Sequence, residues 1–192
     1  LAPRRPAEVI VERIRDAVAR RPEALVGLEE TQRELDRLAR RAPALVRTVV
    51  PDRLALPRLT TLLRGLVAEG VDLRALREIL EATSLDPLPE DDAALLATVR
   101  ERLRGPLTHA FLDADGVLRA HAPDPAVAEL LREARTPAGI AALGPDLARE
   151  VVAAARRAGG GARTVLLTQP DVRSALRHLL APELPEVAVL SY

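Results

Sequence analysis

The chain contains no cysteine, no methionine and no tryptophan, with one Phe and one Tyr in 192 residues. Without cysteine there can be no disulfide, no thiolate-ligated metal and no cysteine nucleophile. With aromatics at 1% the core must be built from Leu, Val, Ala and Ile. Lysine and asparagine are also missing, so all 28 basic residues are Arg. We read this as the coding bias of a GC-rich genome rather than as arginine chosen for phosphate. No apolar run approaches the ~18–20 residues of a membrane span, and no secretory signal opens the chain. The first residue is Leu1 rather than Met, so a piece of a longer protein is expected. The lack of a membrane segment then says nothing about the parent.

What is present is a globular balance of 48% hydrophobic and 29% charged residues. Arginine and acidic residues both number 28, so the formal net charge is zero. A neutral total supplies no overall attraction to nucleic acid or to an anionic membrane. Local charge therefore matters more than the sum.

Periodicity divides the chain. After Pro3 and Pro6, Val9, Ile10, Ile14, Ala17 and Val18 fall at helical spacing, and Pro22 ends that helix. Residues 1–27 thus form one helix. It either packs on the rest or closes a preceding subdomain that is absent. Residues 28–104 predict an all-helical unit. Leu28, Thr31, Leu35, Leu38 and Ala42 make one stripe, with Glu29/Arg33 and Asp36/Arg40 as i,i+4 pairs. Pro43 marks its exit. Pro57 suits a first turn, and Leu59, Leu62, Leu63, Leu66 and Val67 follow as a buried face. Gly70 stops that helix and Asp72 caps the next, which carries Leu73, Leu76, Ile79 and Leu80. Asp86 to Pro89 is a linker. Glu90, Asp91 and Asp92 favour the positive first turn of a helix bearing Leu95, Leu96, Val99 and Leu103.

Gly105-Pro106 is expected to break this pattern, leaving residues 106–192 as a small α/β unit. Residues 107–112 and 117–121 predict two strands around an Asp115-Gly116 hairpin turn. Asp124 and Pro125 open a helix to about 134. A second helix covers about 145–158. Gly159-Gly160-Gly161 makes a flexible joint. Thr164–Thr168 is a buried strand, Pro170–Leu180 a helix and Val187–Leu190 a last strand. The fold class is α+β, mostly α: a helical subdomain followed by a small α/β subdomain.

Several chemical motifs fail on inspection. Residues 57–83 fit a helix-turn-helix, but 72–83 hold Asp72, Glu78 and Glu81 against Arg74 and Arg77. A net-negative reading helix would be repelled by DNA phosphates. Asp113-Ala-Asp115-Gly116 lacks the glycine at the sixth place and the glutamate at the twelfth that a calcium loop needs. The triple glycine leads from helix into strand, the reverse of a phosphate loop, with no lysine after it. His109, His121 and His178 have no metal-like spacing, and no serine sits in a nucleophile elbow. We expect no catalytic residue, no metal, no cofactor and no nucleic-acid partner.

Three pieces carry a resemblance: Gly27-Leu28-Glu29-Glu30-Thr31-Gln32; Val50-Pro51 with the run from Leu66 to Ala82; and Val165 to Arg173 continuing to Val189-Leu-Ser-Tyr192. In order and spacing they resemble the C-terminal cytosolic region of the type III secretion export-gate family (FlhA/SctV, FHIPEP). The likeness is weakest over 105–160. It implies a membrane-anchored parent whose cytosolic part forms a nonameric homo-oligomeric ring at the cytoplasmic face of the bacterial inner membrane. By that likeness 28–104 and 106–192 are the third and fourth subdomains. The implied partners are further copies of itself, secretion chaperones with their export substrates, a gatekeeper and the ATPase stalk. Membrane contact would come only through the missing N-terminal part. A stand-alone helical plus α/β adaptor without a ring role is the alternative.

A closed head-to-tail ring needs two different complementary faces per protomer. Arg74, Arg77, Glu78 and Glu81 on one helix, and Glu29, Glu30, Arg33 and Arg37 on another, are mixed-charge candidates. An ordinary solvated surface explains them equally well. The LSY ending and the expected hairpin favour the virulence injectisome over the flagellar branch.

Overall fold

The computed structural model describes residues 6–84, 87–136, 139–140, 143–158 and 164–192. It divides into two compact units, residues 1–107 and 108–192.

The first unit is helical. α1 (Pro6–Arg20) is followed by a 3-10 turn (Pro22–Leu25), α2 (Leu28–Ala39), α3 (Pro43–Val49) and α4 (Leu56–Ala68). A second 3-10 turn (Leu73–Ala75) leads into α5 (Leu76–Ser84), and α6 (Asp92–Arg102) completes the bundle. Leu35, Leu59, Leu63, Leu66, Ile79, Leu80, Leu95 and Val99 fill one core, each at most 2% exposed. The expected stripes on α4 and α5 are the faces that are buried. The stop at Gly70 is real, with φ at +85°, a backbone state that costs only glycine nothing. Asp72 and Asp91 accept the backbone N–H groups of Arg74 and Ala94 at 2.8 and 2.7 Å, as caps do.

Two expectations change here. Pro43 does not end a helix. α2 stops at Ala39 and Pro43 opens α3, because a proline at the first helical position lacks only an N–H that would be unpaired anyway. On α1, Val9, Ile10 and Val18 lie 38–59% exposed, so the described part of its apolar face finds no cover. Ile14 lies outside the described side chains.

α7 (Arg104–His109) carries the chain into the second unit. The expected break is displaced rather than absent: α6 ends at Arg102 and the two units divide after Leu107, while Gly105 and Pro106 lie within α7. The expected hairpin is also overturned. Its turn exists: Asp113 accepts from the amides of Asp115 and Val117, both at 2.9 Å, and Gly116 has φ +73°. The flanking strands do not form, because residues 107–109 stay helical. The far side pairs elsewhere. His121 donates its N–H to the Val165 carbonyl and accepts from the Leu167 N–H, both at 2.9 Å. One ground for preferring the injectisome branch falls with the hairpin.

The remaining elements are α8 (Pro125–Glu133), the short antiparallel pair β1 (Arg135–Thr136) and β2 (Gly139–Ile140), α9 (Pro145–Ala158), β3 (Val165–Thr168), α10 (Pro170–Leu180) and β4 (Ala188–Ser191). β3 and β4 pair in parallel from Val165↔Ala188 to Thr168↔Ser191. Parallel neighbours need a crossover, and α10 supplies it. Leu131, Val152, Val172, Leu176, Leu180 and Val189 form the second core. The glycine joint at 159–161 lies outside the described residues. No described helix is long and apolar enough to cross a membrane.

Candidate functional site

The GLEETQ motif is architectural at three of its residues. Glu30 reaches back to accept the Gly27 N–H at 3.2 Å, the side-chain half of a helix-start box. A Cβ on Gly27 would stand 2.5 Å from that carboxylate. Thr31 is 1% exposed. It donates to the Gly27 carbonyl at 2.8 Å and meets the Thr60 hydroxyl at 3.0 Å, locking α2 to α4. Glu29 remains exposed.

Beyond this start α2 lies beside the Leu73–Ala75 turn and α5. Between them runs a groove in two continuous parts. One part, about 410 Å³, is floored by Val26, Val67, Val71 and Leu73, with Leu25 at 59% exposure beside it. Glu30, Arg33 and Glu34 border it. The other part, about 750 Å³, shares Glu34, Arg37 and Leu73 with the first and adds Leu38 and Leu76 to the floor. Its rim holds Arg37, Arg40, Arg41, Arg74 and Arg77 against only Glu34 and Glu78.

Most of the candidate ring residues border this groove: Glu30, Arg33, Arg37, Arg74, Arg77 and Glu78 do so, while Glu29 and Glu81 lie outside its lining. A head-to-tail contact needs a second surface elsewhere on the protomer.

Most of these charges are already paired locally. Arg33 bonds Glu30, and Arg37 holds Glu34 at 2.5 Å. Arg77 holds Glu81 at 2.9 Å and Arg74 holds Asp72 at 2.7 Å. The Arg74 side chain keeps the Asp72 carboxyl below its ordinary value, and the same bond raises Arg74. The expected Asp36/Arg40 pair is not made, because Asp36 instead accepts from Gln32 at 2.8 Å. Arg40 and Arg41 are exposed and make no ion pair among the described residues.

Three buried charged residues escaped the sequence reading. Glu69 and Arg100 form an ion pair at 3.0 Å with side chains 4% and 7% exposed. Arg177, 9% exposed, donates to the carbonyls of Pro185 and Val187 at 3.2 and 2.9 Å. None of the three lines the groove. No cluster of three or more His, Asp or Glu that could hold a metal occurs among the described residues. His109, His121 and His178 are exposed, and His178 bonds only Ser174 of its own helix. The chain should accordingly release added zinc on dialysis. Stoichiometric zinc traced to any of the three histidines by metal analysis would contradict this.

Comparison with known proteins covers the whole chain. The FHIPEP family model matches residues 2–192. The flagellar biosynthesis protein FlhA of Proteus mirabilis is 34% identical over 173 residues, which is 87% of this chain and 25% of that protein. The probable translocation protein y4yR of Sinorhizobium fredii is 31% identical over 97% of this chain and 28% of its own length. The chain thus spans about a quarter of the curated relatives it matches. Among solved structures, the Chlamydia pneumoniae CdsV and CdsO complex contains a chain 28% identical, with a TM-score of 0.79 over 98% of this chain and 58% of that one. The nonameric EPEC SctV-C shares the fold at 23% identity and a TM-score of 0.74, over 93% of this chain and 56% of that one. The three motifs that suggested an export gate thus lie inside a match of nearly full length, and the chain belongs to the FHIPEP family.

Proposed function

We propose that the chain is a non-enzymatic cytosolic platform of a type III protein export gate, built to contact further copies of itself and to receive other proteins. The observation that carries this is the family match over residues 2–192. Two further facts support its parts. A fold neighbour is nonameric, in line with a homo-oligomeric ring, and another was solved together with a second protein, CdsO. The platform would stand at the cytoplasmic face of the inner membrane, anchored by other parts of its parent. It would receive chaperones with their export substrates, a gatekeeper and the ATPase stalk. Both flagellar and translocation relatives match, so neither branch is favoured by likeness.

Ring contacts through Arg74, Arg77, Glu78 and Glu81 would be weak in isolation. The Arg74 and Arg77 side chains are 91% and 61% exposed and already paired within the protomer. Exposed ion pairs contribute only about 0–1 kcal/mol each, against ~4–15 kcal/mol lost on association. A membrane anchor would supply the missing local concentration. The 192-residue chain should therefore sediment as a monomer or weak oligomer, dissociating further as salt rises. The variant R74E/R77E, placed in a full-length protein carrying this segment, should block secretion without lowering the melting temperature. A tight, salt-insensitive oligomer would contradict the electrostatic contact. Normal secretion by R74E/R77E would remove both residues from it.

A further inference from the structure

We infer that the groove between α2 and the Leu73–Ala75 turn with α5 is a docking site for an acidic amphipathic segment of a partner protein. This rests on the docking half of the proposed platform and names the chemistry that would be docked.

The two ends of the groove differ. Toward Pro22 its floor is apolar and its border mixes Glu30, Arg33 and Glu34. Toward Arg41 five arginines face two glutamates. Asp72 and Glu81 offset Arg74 and Arg77, so local pairing takes up most of this arginine excess, but one positive charge remains. Arg37, Arg74 and Arg77 have intramolecular carboxylates, but Arg40 and Arg41 have none among the described residues. α2 spans about 18 Å at 1.5 Å per residue, which sets the length of an occupant near three helical turns. A helix laid in such a groove reads it as apolar anchors at i, i+3, i+4 and i+7. Leu25, Val67, Leu73 and Leu38 supply apolar lining for such anchors. The occupant's acidic residues would meet Arg40 and Arg41, which have nothing else to bind.

Nucleic acid fits less well. A phosphate backbone carries charge at every nucleotide and has no apolar face to lay on Val67, Val71 and Leu73. The floor offers aliphatic rather than polar contact.

The probe is a fluorescein-labelled helical peptide of Leu and Glu about three turns long, compared with the same peptide carrying Lys for Glu. Fluorescence anisotropy with the 192-residue chain should show binding of the Leu/Glu peptide and at least tenfold weaker binding of the Lys form. Binding should weaken as salt rises. R40E/R41E should weaken the acidic peptide about tenfold, the equivalent of ~1.4 kcal/mol. R40K/R41K should retain it, which separates charge from folding. Both sites are exposed and outside the cores, so unchanged melting is expected. Four results would overturn the inference: equal binding of both peptides, no binding of either, preference for a single-stranded oligonucleotide, or R40E/R41E abolishing self-association while sparing the peptide. The last would assign the groove to a second copy. Failure of the wider platform reading would show instead as normal secretion by R40E/R41E in a full-length protein that still loses the peptide in vitro.

Discussion

Leu66→Asp or Ile79→Asp is expected to unfold the helical unit. Both side chains are fully buried, at 0% exposure, within one cluster that also holds Leu59, Leu63, Leu80 and Val99. Leu66 is on α4 and Ile79 on α5, so each substitution strikes the core from a different helix. The change removes an apolar side chain whose burial contributes ~1.5–3 kcal/mol. It also places a carboxylate within the apolar cluster, and an unpaired buried charge costs several kcal/mol more. The total approaches the ~5–15 kcal/mol that stabilises a whole domain. Circular dichroism should show loss of helix at room temperature or a melt lowered by well over ten degrees. A variant melting within a couple of degrees of the parent would mean that the core has been misplaced.

The second large effect is expected at Glu69 and Arg100. This pair joins the C-terminal end of α4 to α6 with its charges nearly removed from water. Such a pair is not in itself strong evidence of stability, because desolvation offsets much of its attraction. Breaking it is another matter. Arg100→Ala leaves a carboxylate at 4% exposure without its cation, and Glu69→Ala leaves a guanidinium at 7%. Each should cost ~3–5 kcal/mol. The double variant E69L/R100M, with neither charge left buried, should lose much less than the two single changes added together. Chemical denaturation of the four proteins measures that difference directly. A double variant as unstable as the two single losses combined would show that removing both charges brings no relief.

The contrast between these two sites explains what could be read from the chain beforehand. Leu66 and Ile79 belong to apolar stripes of helical period, and a stripe is a local signal. The caps at Asp72, Asp91 and Asp124 are also local, set by a side-chain oxygen and an N–H two or three residues on. So is the strand, helix, strand order of 164–190. Glu69 and Arg100 lie thirty-one positions apart, and nothing in either neighbourhood names the other. In sequence Glu69 is one residue of a turn beside Gly70. The groove shares this limit. Glu30 to Arg37 and Arg74 to Glu78 were visible as charged stretches, but their meeting on one side depends on how α2 lies against α5. Prolines misled for a different reason. Pro43 and Pro106 carry the same local signal as Pro57, and only the helix that follows tells an opening from a stop.

Arginine was introduced as a by-product of coding bias, yet the folded chain has come to rely on its shape. Arg58 on α4 donates to the carbonyls of Pro89 and Glu90 and to the Asp92 carboxylate at once. Arg64 reaches the Val26 carbonyl, Arg53 that of Thr83, and Arg102 those of Ala82 and Pro87. Each tie bridges segments twenty or more positions apart or, for the Arg102–Pro87 bond, fifteen. A planar fork with five donors can hold several acceptors in fixed directions, whereas an ammonium is a compact charge with three. Replacing these arginines by lysine would therefore lose structure as well as composition. Lysine could restore the charge at Arg58, but not the simultaneous grip on the loop that leads into α6.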